Sequence, residues 1–133
     1  DEGSCMIIIA TNAPLSNRNL KRMAKRVDHA FGRVGAYSSN GSGDYAIIFS
    51  THKANSLDGL TTTREEMKNR HMNGLFMATV EATEEAIINS LFMAEMVSSR
   101  YGTMEALPVD KTMQILKKYK ALNWNKKLYP WKK

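Results

Sequence analysis

Met6-Ile7-Ile8-Ile9-Ala10-Thr11 is the segment that most limits what this chain can fold into. It is short, rich in stiff β-branched side chains and closed by Asn12-Ala13-Pro14, so it reads as a strand buried on both faces rather than as a helix. Tyr45 to Thr51 is a second run of the same kind. Between them Ser16 is placed to cap a helix reaching about Arg33. Leu20, Met23, Ala24, Val27, Ala30 and Phe31 recur there at helical spacing, with Lys21, Arg22, Lys25 and Arg26 between them and Gly32 and Gly35 marking the stop. His52 to Arg70 is polar and reads as a loop or flap. From Met72 to Ser99 apolar positions return with helical period, predicting one long helix. Its small residues Ala78, Ala82, Ala86, Ser90 and Ala94 form a groove for close approach, and Gly102 ends it. After Pro108, Asp110 is placed to cap a last helix carrying Met113, Leu116 and Tyr119. The expected inventory is two strands and three helices, an α/β pattern. Two strands are not an independently stable sheet, so the chain is expected to complete a sheet whose other strands lie elsewhere.

With 133 residues, 43% of them hydrophobic, there is material for one domain with an ordinary core. The longest apolar stretch, Cys5 to Ala10, falls far short of the roughly 20 residues of a membrane helix, and no secretory leader is visible. No membrane association is expected. One cysteine forms no internal disulfide, which with nine methionines makes the cytoplasm the default compartment. The opening Asp-Glu-Gly, without methionine, suggests a product cut from something longer.

The net charge of +6 is localised: residues 117–133 carry seven lysines and no acid, leaving −1 for the rest. That tail interleaves Trp124, Tyr129 and Trp131, a pattern able to grip phosphates and stack on bases, or to lie on an anionic surface. A solvated tail, or one packing its rings on a neighbouring subunit, is the favoured alternative, so nucleic acid is not an expected partner.

Two short segments carry candidate chemistry. In Gly3-Ser4 a serine opens the first strand. A serine hydroxyl needs a base, supplied by a histidine or by the serine's own α-amine once the preceding peptide bond is broken, with a pKa of about 7.7 to 8.0. Glycine before the serine tolerates the twisted backbone that self-attack requires. In Asn40-Gly41-Ser42-Gly43-Asp44 two glycines allow close backbone approach and leave a hydroxyl and a carboxylate facing a common point. The plain alternatives are a serine at a strand start and a turn rich in turn-forming residues. Asn40-Gly41-Ser42 also matches a glycosylation acceptor pattern, a frequent coincidence. His29, His52 and His71 show no metal-ligand spacing with each other or with Cys5, so no metal or other cofactor is expected. Glu81, Glu84 and Glu85 read as a solvated helix face, and Cys5 as a small buried hydrophobe.

Taken together, Gly3 to Leu15, Asn40 to Tyr45 with Phe49-Ser50-Thr51, and Ala78 to Leu91 resemble the L-aminopeptidase/D-esterase family, which includes the β-peptidyl aminopeptidases, in order and spacing over roughly residues 3–116. The resemblance implies a precursor that cuts itself before a serine into an α chain and a β chain. This chain is similar to the β part: residues 1–116 would be its portion of one hydrolase domain, with Ser4 as mature N-terminus, and 117–133 a basic aromatic tail. The implied fold is half of a four-layer α/β/β/α sandwich resembling N-terminal-nucleophile hydrolases. The implied activity is release of N-terminal residues from peptides, amides or esters through an acyl-enzyme on Ser4. Gly3-Ser4 would be the autoprocessing bond, Ser42 and Asp44 the supporting catalytic pair, and Asn40, Gly41 and Gly43 the residues shaping the loop. Implied partners are the α chain of the same precursor, a substrate with a free N-terminus and an oligomer of αβ units. Oxyanion donors and much of the pocket are expected in the α chain. Asp1-Glu2-Gly3 still precedes Ser4, whose nitrogen is therefore held in a peptide bond. Two other readings are a related self-cleaving acyltransferase and a non-enzymatic module binding nucleic acid or anionic surfaces through the lysine-rich tail.

Overall fold

The computed structural model describes residues 3–53 and 65–122. Contacts divide the chain into two compact units, one ending at Ile88 and the other starting at Asn89.

In the first unit β1 (Met6–Thr11) and β2 (Tyr45–Ser50) pair in parallel, with Met6 opposite Tyr45 and Thr11 opposite Ser50. Side chains alternate across such strands. One set, including Ile7, Ile9, Ala46 and Ile48, turns towards the helices and joins two apolar clusters. The first cluster gathers Leu15, Met23 and Met72, the second Ile7, Val27 and Phe31. The opposite set, Met6, Ile8, Tyr45, Ile47 and Phe49, is 45–65% exposed. The expectation of strands buried on both faces is corrected here: among the described residues, helices cover one face only.

The helix expected from Ser16 to about Arg33 is two, α1 (Asn17–Ala24) and α2 (Val27–Arg33). At the junction the Arg26 N–H bonds the Met23 carbonyl at 2.8 Å, three residues back instead of four. The Arg22 carbonyl that this shift leaves unused accepts from the Arg26 guanidinium at 2.9 Å. A tightened turn thus splits the element while its apolar stripe continues. The exit of α2 follows the glycine signal. Gly35 adopts φ +85°, the Ala36 N–H reaches the Phe31 carbonyl at 2.9 Å and the Gly35 N–H the Gly32 carbonyl at 3.3 Å, the bonding of a Schellman stop.

The long helix α3 (Met72–Phe92) is shorter than the expected Met72–Ser99. Its buried side chains are Met72, Thr79, Val80 and Thr83, whereas Ala78, Ala82, Ala86 and Ser90 of the expected groove are exposed among the described residues. The two buried threonine hydroxyls donate to carbonyls four residues back, Leu75 and Thr79, at 2.7 Å each, which satisfies them without a partner element. At the end of the described part of the expected flap, the Met67 N–H bonds the Pro14 carbonyl at 2.8 Å, and Glu66 accepts from Ser16 and Asn19. Residues 54–64 of that flap lie outside the described residues.

In the second unit, β3 (Val97–Ser99) and β4 (Gly102–Met104) form an antiparallel hairpin. Helical periodicity had absorbed β3, and Gly102, at φ +129°, shapes the hairpin instead of ending a helix. The last helix, α4 (Val109–Lys118), begins as expected after Pro108, but Pro108 itself takes the capping position and Asp110 lies in the first turn. The inventory among the described residues is therefore four strands and four α-helices in place of two and three. Residues 123–133 of the expected tail lie outside the described residues.

Candidate active site

Because β1 and β2 run parallel in register, the segments leading into them, Gly3 to Cys5 and Ser38 to Asp44, arrive at the same edge of the sheet. The ladder continues past the strands. The Tyr45 N–H donates to the Cys5 carbonyl at 2.9 Å, and the Cys5 N–H donates to Asp44 Oδ1 at 2.9 Å, so a carboxylate oxygen takes the place of the next backbone acceptor. That single substitution ties the turn to the strand carrying Ser4. The turn is closed by the Ser42 N–H on the Ser39 carbonyl at 2.8 Å.

Three of the expected site residues converge. The Ser42 hydroxyl oxygen stands 2.6 Å from the Gly3 carbonyl oxygen and 2.8 Å from Asp44 Oδ2. A hydroxyl has one proton to donate, and both of these neighbours are acceptors when Asp44 is ionised. The Ser42 proton is therefore shared between the carbonyl of the Gly3-Ser4 bond and the carboxylate. The Gly43 N–H donates to Ser4 Oγ at 3.0 Å. A Cβ built on Gly43 would stand 3.4 Å from that same Oγ and 3.6 Å from the Tyr45 ring, ordinary contact distances, so space alone does not demand glycine there. Asn40 and Gly41 lie in the exposed turn before Ser42.

Asp44 is held below the usual carboxylate range, first by the Ser38 hydroxyl, then by the Ser42 hydroxyl and the Cys5 N–H, against a partial opposing effect of desolvation. Hydrogen bonds donated to the charged form are the cause. Ser38 is a site residue that sequence reasoning missed. It adopts φ +51°, unusual for a residue with a side chain, and nothing in the polar run Ser38-Ser39-Asn40 singles it out. The Cys5 thiol is pushed up by burial and, to a lesser degree, by the Asp44 charge, which favours the unreactive thiol. Elsewhere, Glu84 pairs with Arg33 at 2.8 Å on the surface, and His71 accepts from Arg70 at 3.0 Å. Neither group is drawn into the Ser4 cluster.

The site borders a cavity of about 430 Å³ whose lining includes Gly3, Ser4, Ser42 and Asp44 as well as the end of α2. The sequence offered no sign of it, since its walls come from the entrance of β1, the end and exit of α2, the turn before β2, and α3.

The family model described as Peptidase family S58 matches residues 1–105. The chain is 42% identical over 124 residues to the beta-peptidyl aminopeptidase BapA of Sphingosinicella microcystinivorans, covering 91% of this chain and 31% of that protein. Among solved structures it is similar to the PH0078 protein of Pyrococcus horikoshii OT3, at 38% identity and TM-score 0.74 over 85% of this chain and 33% of the other. It is also similar to the L-aminopeptidase D-Ala-esterase/amidase of Ochrobactrum anthropi, at 26% identity and TM-score 0.73 over 86% and 34% respectively. That enzyme is described as a prototype for the serine aminopeptidases and a variant of the Ntn hydrolase fold. The chain thus spans about a third of the length of its relatives, and its mixed helix and strand form part of that fold.

Proposed function

Because this chain belongs to peptidase family S58, we propose that it is the nucleophile-bearing portion of a serine aminopeptidase that cuts its own precursor at Gly3-Ser4 and then releases N-terminal residues from peptides or amides. The observation that carries this reading is the 2.6 Å approach of the Ser42 hydroxyl to the Gly3 carbonyl oxygen, beside a Ser4 Oγ held by the Gly43 N–H. A donor aimed at a carbonyl oxygen lowers the barrier to attack on its carbon, because negative charge grows on that oxygen as the new bond forms.

In the self-cleavage step Ser4 Oγ bonds to the Gly3 carbonyl carbon while the Gly3-Ser4 C–N bond breaks. The hydroxyl proton ends on the departing Ser4 nitrogen, and the Gly3 acyl group is left as an ester on Oγ. Water then splits the ester into the Gly3 carboxylate and a free Ser4 hydroxyl. The liberated α-amine, with an ordinary pKa of about 7.7 to 8.0, becomes a base next to the nucleophile it serves. On a substrate the same bonds form and break: Oγ attacks the carbonyl of the first residue, the departing amine takes a proton, and water releases the residue. Asp44 orients Ser42, and through the Cys5 N–H it holds the strand that presents Ser4.

The missing two thirds of the enzyme would be the α chain of the same precursor, and αβ units would assemble further. The exposed row Met6, Ile8, Tyr45, Ile47 and Phe49 supports this, since a sheet face of that composition calls for a covering layer. The test is intact-mass measurement and N-terminal sequencing of the full precursor with and without Ser4→Ala. The parent is expected to yield a chain starting at Ser4 and aminopeptidase activity. The variant should stay uncut and lose activity by on the order of 10⁴-fold or more. Aminopeptidase activity that survives Ser4→Ala would sink the proposal.

A further inference from the structure

We infer, resting on the reading above, that Ser38 is a positioning residue for self-cleavage: its hydroxyl occupies Asp44 and thereby releases the Ser42 proton to the Gly3 carbonyl oxygen. The Ser42 hydroxyl has two acceptors to serve, the Gly3 carbonyl oxygen at 2.6 Å and Asp44 Oδ2 at 2.8 Å, and one proton for both. An ionised carboxylate is the stronger acceptor, since a hydrogen bond to a charged group is roughly twice as strong as one between neutral groups. Facing Ser42 alone, Asp44 would therefore hold the proton. A proton held there does nothing for the carbonyl that Ser4 Oγ attacks, because it is not aimed at the oxygen on which charge grows.

Asp44 does not face Ser42 alone. Its Oδ1 accepts from the Cys5 N–H at 2.9 Å, and the Ser38 hydroxyl donates to the same carboxylate. Each bond that a carboxylate accepts spreads part of its charge, so each further donor is held less tightly. The Cys5 N–H belongs to the strand entrance and is fixed by the ladder, whereas Ser38 lies in the segment between the Gly35 stop and the turn. It stands there at φ +51°, a left-handed backbone that glycine or asparagine adopts with less strain. The residue is exposed and lines the cavity beside Ser4. Core packing therefore does not account for a serine at this backbone, and the hydroxyl on Asp44 does.

The experiment follows the full precursor from cell-free synthesis onward and reads the first-order rate of cleavage at Gly3-Ser4 by intact mass. That step is unimolecular, so substrate binding does not enter it. Ser38→Gly keeps the left-handed backbone without strain and deletes the hydroxyl; it is expected to slow cleavage by about tenfold while leaving the urea midpoint of the chain unchanged. Ser38→Asn suits the same backbone and restores an N–H donor, and it should recover most of the parent rate. A Ser38→Gly precursor that cleaves at the parent rate overturns this inference and leaves the Ser4 mechanism standing, as does a Ser38→Asn precursor as slow as Ser38→Gly. A Ser38→Gly chain that fails to fold overturns it too, because the side chain would then be holding the fold and not the proton. A parent precursor that never cleaves at Gly3-Ser4 overturns both.

Discussion

The two units of this chain are built from similar elements but differ in what those elements bury. Every buried residue among the described ones, from Ile7 to Thr83, belongs to the unit ending at Ile88. The unit starting at Asn89 has a hairpin and a helix with no buried residue, and Met93, Met104 and Tyr101 are 79%, 78% and 84% exposed. Regular backbone is thus not the same as a core. The first unit fixes the candidate site because its strands are anchored by packed helices, and the second holds a two-stranded hairpin of a kind that is marginal on its own.

The strongest way to break this contrast is to truncate one side chain in each unit. Leu15→Ala, at a residue 2% exposed, should cost about 2–5 kcal/mol in urea unfolding of the isolated chain. Met104→Ala should stay within about 0.5 kcal/mol. Equal costs would mean that the second unit hides a core after all.

Asp44→Asn sharpens the contrast at the border of the packed unit, where geometry should matter more to rate than to folding. In the assembled enzyme it should lower kcat by about 10²-fold. Its effect on stability should depend on pH in a defined sense. The native carboxyl is held low, so its contribution is present above the ordinary carboxylate value of about 3.9 and is lost as pH falls through the lower native value. Urea midpoints of parent and variant should therefore differ at neutral pH and converge in strong acid; a difference constant down to strong acid would contradict the assignment.

The smallest effect is expected from Arg33→Ala, which removes a surface pair with Glu84 whose side chains are 44% and 32% exposed. It should shift stability by less than about 1 kcal/mol. A larger loss would show that surface charge, and not the packed clusters, carries the first unit.

Local chemistry was legible wherever it acts within a few residues. The β-branched run at Met6–Thr11, the turn within Asn40 to Asp44, and Gly35 as the stop of α2 all express preferences of the backbone itself, and each appears where the pattern placed it. The hairpin at Val97–Met104 escapes the helical pattern because apolar periodicity runs on through Val97, although only Arg100 and Tyr101 separate the two strands. The split at Arg26 was missed because the guanidinium that caps the Arg22 carbonyl acts through a side-chain bond that no spacing rule records.

What the sequence by itself determined is the identity and order of the groups: Gly3 before Ser4, and Ser42 and Asp44 on a hinged turn ahead of a second strand. What only the tertiary structure decided is that a parallel register brings positions 39 residues apart within 2.6 Å, that Ser38 turns its hydroxyl onto the carboxylate, and that one sheet face is covered while the other stands open. These are outcomes of long-range pairing and packing, whose energies depend on what lies opposite each residue rather than on what lies beside it in the chain.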